Sequence, residues 1–506
     1  MPSCVRFFQA KFGVLAVVIA AMLASTSLLG ETQAAAANVP APGEDIVLHG
    51  VITAEKLGKH EMLPFTVPAG IERMTVELIS PGFQKGMYLT AGLFDPQRYR
   101  GEGRSVFTVS TVDATGPYLP GPIVPGTWRL AIGYNFVAAN AKGEFTVKIH
   151  LSKQLDLEHY KVIRSKAGWY KGDLHSHTGL TDAMCKSQSG ADVPCPPSKL
   201  FEAAAKQKLD FLAVTDHNTA ATFNEIMQAQ LYYDQMLLIG GEEITTVKGH
   251  ANVWGTEGFL DYRVAESGFT ANDLFDQAHK LHALVSINHS YWPYDGRCPG
   301  CGWGWEQTDF SKLDAIEIIN GYHEHGSWFT PPPGNGVPFW EQQLARGLRP
   351  TGVGGGDEHR AGEQLALHDG VGIPTTVVYA RELSQPAILE GIKAGHVFVQ
   401  VTGPDGTPLY LSAGSAIMGD AIVAEAGKRV WFKMTTQEFG QAKLRLLVDG
   451  IAVNDLPAVQ QSTAAEVNCL YDWLSDGKRH WVRAELDSAD GDPITLTNPI
   501  YVNWGQ

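Results

Sequence analysis

The stretch "GDLHSHTGLTD", residues 172–182, sets His175 and His177 one residue apart, with Asp182 five positions further on. On an extended strand a spacing of two turns both imidazoles to one face, a geometry suited to a shared metal ion. Residues of the same kind end other apolar runs in the middle of the chain. His217 closes "FLAVTDH", Glu243 closes "LLIGGEE", His250 stands in "KGHANVWG", His289 closes "LVSINH", and Asp357 and His359 form a D-x-H pair after "TGVGGG". Six imidazoles and three carboxylates brought to one place would make a multinuclear site of nitrogen and oxygen ligands, suited to Zn, Mn or Fe.

Their neighbours read differently. Asp216, just before His217, is expected to orient a ligand rather than bind metal itself. Glu242 and Glu243 point opposite ways on a strand, and Glu243 is taken as the ligand. His279 and His282 fall in a helical pattern and read as structural. His323 and His325, in "NGYHEHG", are either substrate contacts or a loop pair. His49, His60, His150 and His480 lie in β-patterned regions and read as chemically idle.

Positioning such a set requires strands that end together. From 165 to 400 the chain alternates apolar strands with amphipathic segments: "PSKLFEAAAKQK", "FNEIMQAQLYYDQ", "TANDLFDQAHKLH", "FWEQQLARG" and "QPAILEGIKAG". The alternation predicts parallel strands with crossover helices, and reactive residues at successive strand ends predict a β/α barrel with its site at that end. Residues 44–152 and 402–506 carry instead short alternating runs broken by Pro and Gly, such as "ERMTVELIS" and "GTWRLAIGY" before the barrel and "KRVWFKMTTQ" and "HWVRAELDS" after it. These predict N-terminal and C-terminal β-sandwich domains flanking the barrel.

With 506 residues the chain has ample length for three such domains, and its 54 glycines suit turn-rich β structure and sites built on loops. A net charge of -15 argues against a nucleic-acid partner or an anionic membrane surface, both of which ask for a basic face. Residues 1–36 read as a signal peptide: Arg6 and Lys11 precede the apolar run 14–29, and "ETQAAAANVP" offers small residues for cleavage. The run is shorter than a membrane span, so an exported protein with no stable span is expected. In that compartment Cys185 and Cys195, and Cys298 and Cys301, are expected as disulfides, leaving Cys469 a buried thiol.

The segments "DLHSHTGLTD", "FLAVTDHN", "GGEEIT", "GHANVWG", "SINHS" and "GGGDEH" resemble the successive motifs of the PHP (polymerase and histidinol phosphatase) superfamily, and within it the CehA/McbA carbaryl-hydrolase family. The resemblance covers roughly residues 165 to 400 and implies a distorted (β/α)7 barrel holding two or three divalent metal ions. It implies that His175 and His177 share an ion with Glu243 and Asp357, that Asp182, His217 and His359 hold a further one, and that His250 and His289 complete the site beside Glu243.

The chemistry so implied is hydrolysis by a metal-bridging hydroxide; no G-x-S-x-G elbow closes a strand to supply a serine nucleophile. Asp357 is expected to collect the released proton, with His323 at the leaving oxygen. The family resemblance implies a carbamate or aryl ester as substrate, with Trp292, Tyr322 and other aromatics near the motifs lining its pocket. The alternative is a phosphoester, for which Arg360, Arg297 and Lys248 offer cations. A different class altogether would be a secreted binding protein without catalysis. Composition leaves the oligomeric state open.

Overall fold

The computed structural model describes residues 45–111, 114–154, 162–256, 259–264, 268–291, 300–321, 334–361, 370–437, 440–453 and 467–504. The signal-peptide reading at 1–36 and the predicted roles of Trp292, Arg297, Tyr322, His323 and His325 therefore lie outside the described residues.

The chain is mixed α/β and rich in sheet, with five α-helices among the described residues. In the N-terminal region, strands Ile46–Thr53, Lys142–Ser152, Arg73–Ile79 and Val106–Ser110 form one antiparallel sheet, and His60–Val67, Gly126–Val137, Met87–Phe94 and Tyr99–Glu102 form another. Alternation decides which faces turn inward: Val76, Phe107 and Val147 from one sheet meet Leu93, Trp128 and Ile132 from the other in a single apolar cluster.

The middle of the chain builds the sheet that matters for chemistry. Strand Gly168–Asp173 runs parallel to Phe211–Val214, which runs parallel to Leu237–Thr246; further on, Leu284–Ile287, Ala315–Asn320 and Thr351–Gly355 are parallel in turn. Four of these strands, Phe211–Val214, Leu284–Ile287, Ala315–Asn320 and Thr351–Gly355, are buried along their whole length, which is why they read as apolar or small-residue runs, broken only in Ala315–Asn320 by Glu317 and Asn320. Helices Pro197–Lys206, Phe223–Ala229, Ala271–Lys280 and Gln385–Lys393 fall within four of the five amphipathic segments, and Val337–Ala345 begins two residues before the remaining one, "FWEQQLARG". The third opens on a capping box, Thr270 and Asp273 satisfying each other's backbone N–H groups.

The predicted (β/α)7 barrel is not shown. Leu237–Thr246 turns through Val247 and Lys248 straight into the antiparallel strand Gly249–Trp254, which leaves no residues for a crossover helix, and that strand is again antiparallel to Leu284–Ile287. Strand Thr375–Ala380 is likewise antiparallel to Gly168–Asp173. It meets Thr351–Gly355 through one side chain, Thr376 Oγ1 accepting from Gly354 N at 2.8 Å and donating to Gly354 O at 2.6 Å. The central sheet also continues past residue 400: Val397–Gln400 pairs with Pro493–Thr497, so the C-terminal strands extend the same sheet. A four-stranded sheet that includes Leu409–Ala413 and Arg429–Thr436 contributes Leu411 and Phe432 to a cluster shared with Phe398, Leu446 and Val482. Among the described residues no helix is long and apolar enough to cross a membrane.

The cysteines depart from expectation in one pair. Cys301 is disulfide-bonded, but Cys185 and Cys195 are buried free thiols. In the short hairpin they flank, Cys185 stands opposite Val193, while Cys195 N bonds to Ala183 O at 2.8 Å. Offset by two residues in register, they share one face of the hairpin, where the two thiols lie side by side unbonded and the Cys185 thiol, after burial, helps push the Cys195 thiol up. Cys469 is a buried thiol as read from the sequence.

Candidate metal centre

The H-x-H segment follows strand Gly168–Asp173 and is clamped on both sides. Thr215 N bonds to Ser176 O at 2.8 Å on one side; on the other, His177 N bonds to Glu358 O at 3.0 Å and Asp357 N to His175 O at 2.8 Å. Asp173 ties the ends together. Its fully buried carboxylate accepts from His175 N (3.0 Å), Gly356 N (2.8 Å) and Gly372 N (2.7 Å), while burial pushes its pKa up to about 6 against those hydrogen bonds. Gly356 has to be glycine here, because a Cβ would come within 2.5 Å of the Asp173 carboxylate.

Glu243 is the hub. Its Oε1 lies 3.3 Å from His175 Nε2, 3.2 Å from His289 Nε2 and 3.4 Å from His250 Nδ1, and accepts from Asn288 Nδ2 at 2.9 Å. Its Oε2 lies 2.9 Å from His217 Nδ1 and 3.6 Å from His177 Nε2. Asp357 is the second centre of charge, with Oδ1 3.0 Å from His177 Nε2 and 3.2 Å from His175 Nε2. Against a desolvation that would raise them, the surrounding imidazoles hold both carboxyls well below the usual carboxylate range. Asp182 sits at the open edge, its Oδ2 3.5 Å from His217 Nε2 and its Oδ1 3.4 Å from His359 Nε2, and its carboxyl is also lowered by those two imidazoles against desolvation.

These donors fall into three groups whose ligand atoms lie within 4.8 Å of one another: His177, Asp182, His217 and His359; His175, His177 and Asp357; and His175, Glu243 and His289. His175 and His177 each belong to two. His250 reaches Glu243 but stands outside all three. The residues fit metal ions on a local observation: His175 Nε2 is a buried ring nitrogen without a hydrogen-bond partner. A buried polar atom left bare is costly, and His175 Nε2 lies between two carboxylates, where a cation would satisfy all three.

Other expected residues are placed elsewhere. Asp216 does not orient His217; it accepts from Thr178 N (2.7 Å), Thr178 Oγ1 (2.8 Å) and Thr181 Oγ1 (2.9 Å), and so fixes the turn that leads to Asp182. His217 takes its hydrogen bond from the Thr245 side, Nδ1 to Oγ1 at 2.6 Å. Arg360 reaches out to Asp192 Oδ1 at 2.9 Å, and the Lys248 ammonium lies 5.3 Å over the Trp305 ring. His279 meets Asp314 at 2.9 Å, a structural pairing. One residue of the centre escaped the sequence reading: Glu317, buried in strand Ala315–Asn320, whose Oε1 is 2.9 Å from His175 Nδ1. The available signal was a lone carboxylate inside the apolar run "AIEIIN", where an unpaired charge would not be tolerated.

No family model matches the chain. Over 157 residues, 31% of this chain and 85% of the relative, it is 25% identical to the uncharacterized protein MJ1587 of Methanocaldococcus jannaschii. Among solved structures it is similar to a two-domain protein of Bacteroides vulgatus that contains, by prediction, a PHP-like metal-dependent phosphoesterase, with 17% identity and a TM-score of 0.38 over 66% of this chain and 96% of that one. A candidate metal-dependent phosphoesterase of Bifidobacterium adolescentis aligns at 16% identity and a TM-score of 0.27 over 40% of this chain and 90% of that one. At TM-scores this low, neither overlay bears on the fold or the activity argued from the residues.

Proposed function

We propose that the chain is a metal-dependent hydrolase of the PHP kind its motifs resemble, acting on a small-molecule phosphoester. The observation that carries this reading is the nesting of three donor groups around His175 and His177, with the bare His175 Nε2 set between Glu243 and Asp357. His175, His177, Asp182, His217, Glu243, His289, Asp357 and His359 would hold two or three divalent ions, with His250 beside Glu243. Ions so held supply an activated water near neutral pH and offset charge on both the attacking and the leaving oxygen of a phosphoryl group.

The chain's own residues do the rest. Asp182, more than half exposed, marks the side from which substrate arrives, whereas Glu243 and Asp357 are enclosed. Asp357 was expected to take the proton, but the imidazoles around it keep its carboxyl strongly acidic; it suits a ligand better than a base. With Arg360 engaged by Asp192, the negative charge of a phosphoester falls to the ions and to the imidazole ring of the site. The carbamate reading lacks comparable support, since Trp303 and Trp305 of the aromatic stretch "GWGWEQ" are spent on packing against Phe275 and on a 3.1 Å bond to Thr246 Oγ1. The proposal includes the exported location, a catalytic region at 165–400 and flanking β-sandwich domains at 44–152 and 402–506.

The test is a side-by-side assay of p-nitrophenyl phosphate and 1-naphthyl N-methylcarbamate with Mn²⁺ and with Zn²⁺, alongside metal analysis of protein purified without chelator. Phosphate release is expected. Turnover of the carbamate alone would overturn the substrate class; less than one equivalent of metal with no turnover would favour the non-catalytic binding protein.

A further inference from the structure

We infer that Glu317 is a positioning residue of the metal centre, the group that fixes the tautomer of His175 and the pose of His289; the inference rests on the metallohydrolase reading. Glu317 Oε1 lies 2.9 Å from His175 Nδ1. Its Oε2 accepts from His289 N at 2.9 Å and from Asn320 Nδ2 at 3.1 Å, and the same Asn320 amide reaches Asp357 Oδ2 at 3.2 Å. One carboxylate therefore touches His175, the backbone of His289 and, through Asn320, Asp357, which supply two of the three members of each of two donor groups. The third group, His177, Asp182, His217 and His359, it does not touch.

A neutral imidazole carries one N–H. With that proton on Nδ1 and donated to Glu317, the lone pair of His175 is on Nε2, the bare nitrogen between Glu243 Oε1 at 3.3 Å and Asp357 Oδ1 at 3.2 Å. Carboxylate–histidine pairs of this kind orient metal-binding imidazoles and raise their basicity. His289 depends on the same residue in another way. Its φ of 27° lies in the left-handed region that a side chain rarely adopts, and the bond from its N–H to Glu317 helps hold it there. The neighbouring strand makes room: a Cβ on Gly355 would stand 2.5 Å from Glu317 Oε1 and 2.4 Å from the Cβ of His175.

Three donors converge on the two oxygens of Glu317, so replacing it by an amide is informative. In Glu317→Gln one oxygen becomes an NH2 and must face a donor. Either His175 moves its proton to Nε2 and loses its lone pair toward the centre, or the N–H of His289 and the Asn320 amide lose their acceptor.

The experiment compares wild type, Glu317→Gln and Glu317→Asp as full chains loaded with Co²⁺. It reads affinity by chelator competition, the visible d–d spectrum, and kcat and KM for p-nitrophenyl phosphate. In Glu317→Gln we expect the inner ions to bind about 10–100-fold more weakly, a changed d–d spectrum, and a fall in kcat with KM little altered. Glu317→Asp, which keeps the carboxylate, should recover part of the affinity, and it decides the matter if the glutamine variant does not fold. Wild-type affinity and spectrum in a folded variant would overturn the assignment alone. A wild-type protein that binds no Co²⁺ would overturn the metallohydrolase reading and this assignment with it.

Discussion

Glu242 offers a sharp test of the electrostatics, because it is the acidic neighbour that the centre does not use. It faces away from Glu243 on strand Leu237–Thr246, opposite Val253, is 2% exposed, and its Oε1 has no hydrogen-bond partner. Burial alone pushes its pKa up from 4.5 to about 8. A raised acid pKa means that the folded state holds the proton after the unfolded state has released it, so stability is greatest below pH 4.5 and falls as pH rises to about 8, then levels. The slope is about 1.4 kcal/mol per pH unit. Glu242→Gln removes the titration while keeping the shape, so its stability relative to wild type should grow by about 1 kcal/mol at pH 5 and by about 4 kcal/mol at pH 7.5, over any constant offset from the exchanged amide. Urea unfolding of both proteins, followed by tryptophan fluorescence at constant ionic strength from pH 5 to 7.5, measures it; titrations common to both proteins cancel. A difference that stays flat across this range would show that Glu242 is ionised in the fold and would refute the reasoning.

Four further perturbations probe the site and its frame. His177→Ala strips a donor from two groups at once and should abolish hydrolysis with loss of bound metal, whereas Asp182→Ala, at the exposed edge, should lower the metal count while leaving the unfolding transition of the apoprotein unchanged; metal analysis and circular dichroism check both. Gly356→Ala drives a methyl group against Asp173 and should cost about 1–3 kcal/mol by urea unfolding. Cys185 and Cys195 should resist iodoacetamide in the native protein and alkylate fully after unfolding without reductant, read by peptide mass mapping; a recovered Cys185–Cys195 disulfide peptide would contradict the free-thiol geometry.

What could be seen from the sequence follows how far apart the interacting residues lie in it. The H-x-H and D-x-H pairs carry their own local signature, two donor residues closely spaced just past the strand ends at Asp173 and Gly355, and Asp182 follows in the turn five residues on. Five amphipathic segments gave five helices for a similar reason, although the second stops at Ala229, before "QLYY", since its apolar positions no longer fall on one face. Features that depend on long-range pairing were not visible. The antiparallel return of Gly249–Trp254 on Leu237–Thr246, through a two-residue turn, is one such feature that the alternation of apolar runs and amphipathic segments did not reveal. An oxidising compartment and close spacing suggested a Cys185–Cys195 bond; the hairpin does bring the two thiols together, but as free thiols.

Glu317 shows the limit most clearly, since its partner His175 lies 142 residues away and nothing beside it in "AIEIIN" says where its charge is spent. A carboxylate alone in an apolar strand nevertheless implies a buried cation, or a donor that can carry one's charge. Reading that implication forward would have placed Glu317 opposite one of the strand-end histidines. The composition of a buried strand thus reports a partner's chemistry even where it cannot report its position, and at this site the partner is the first histidine of the H-x-H pair.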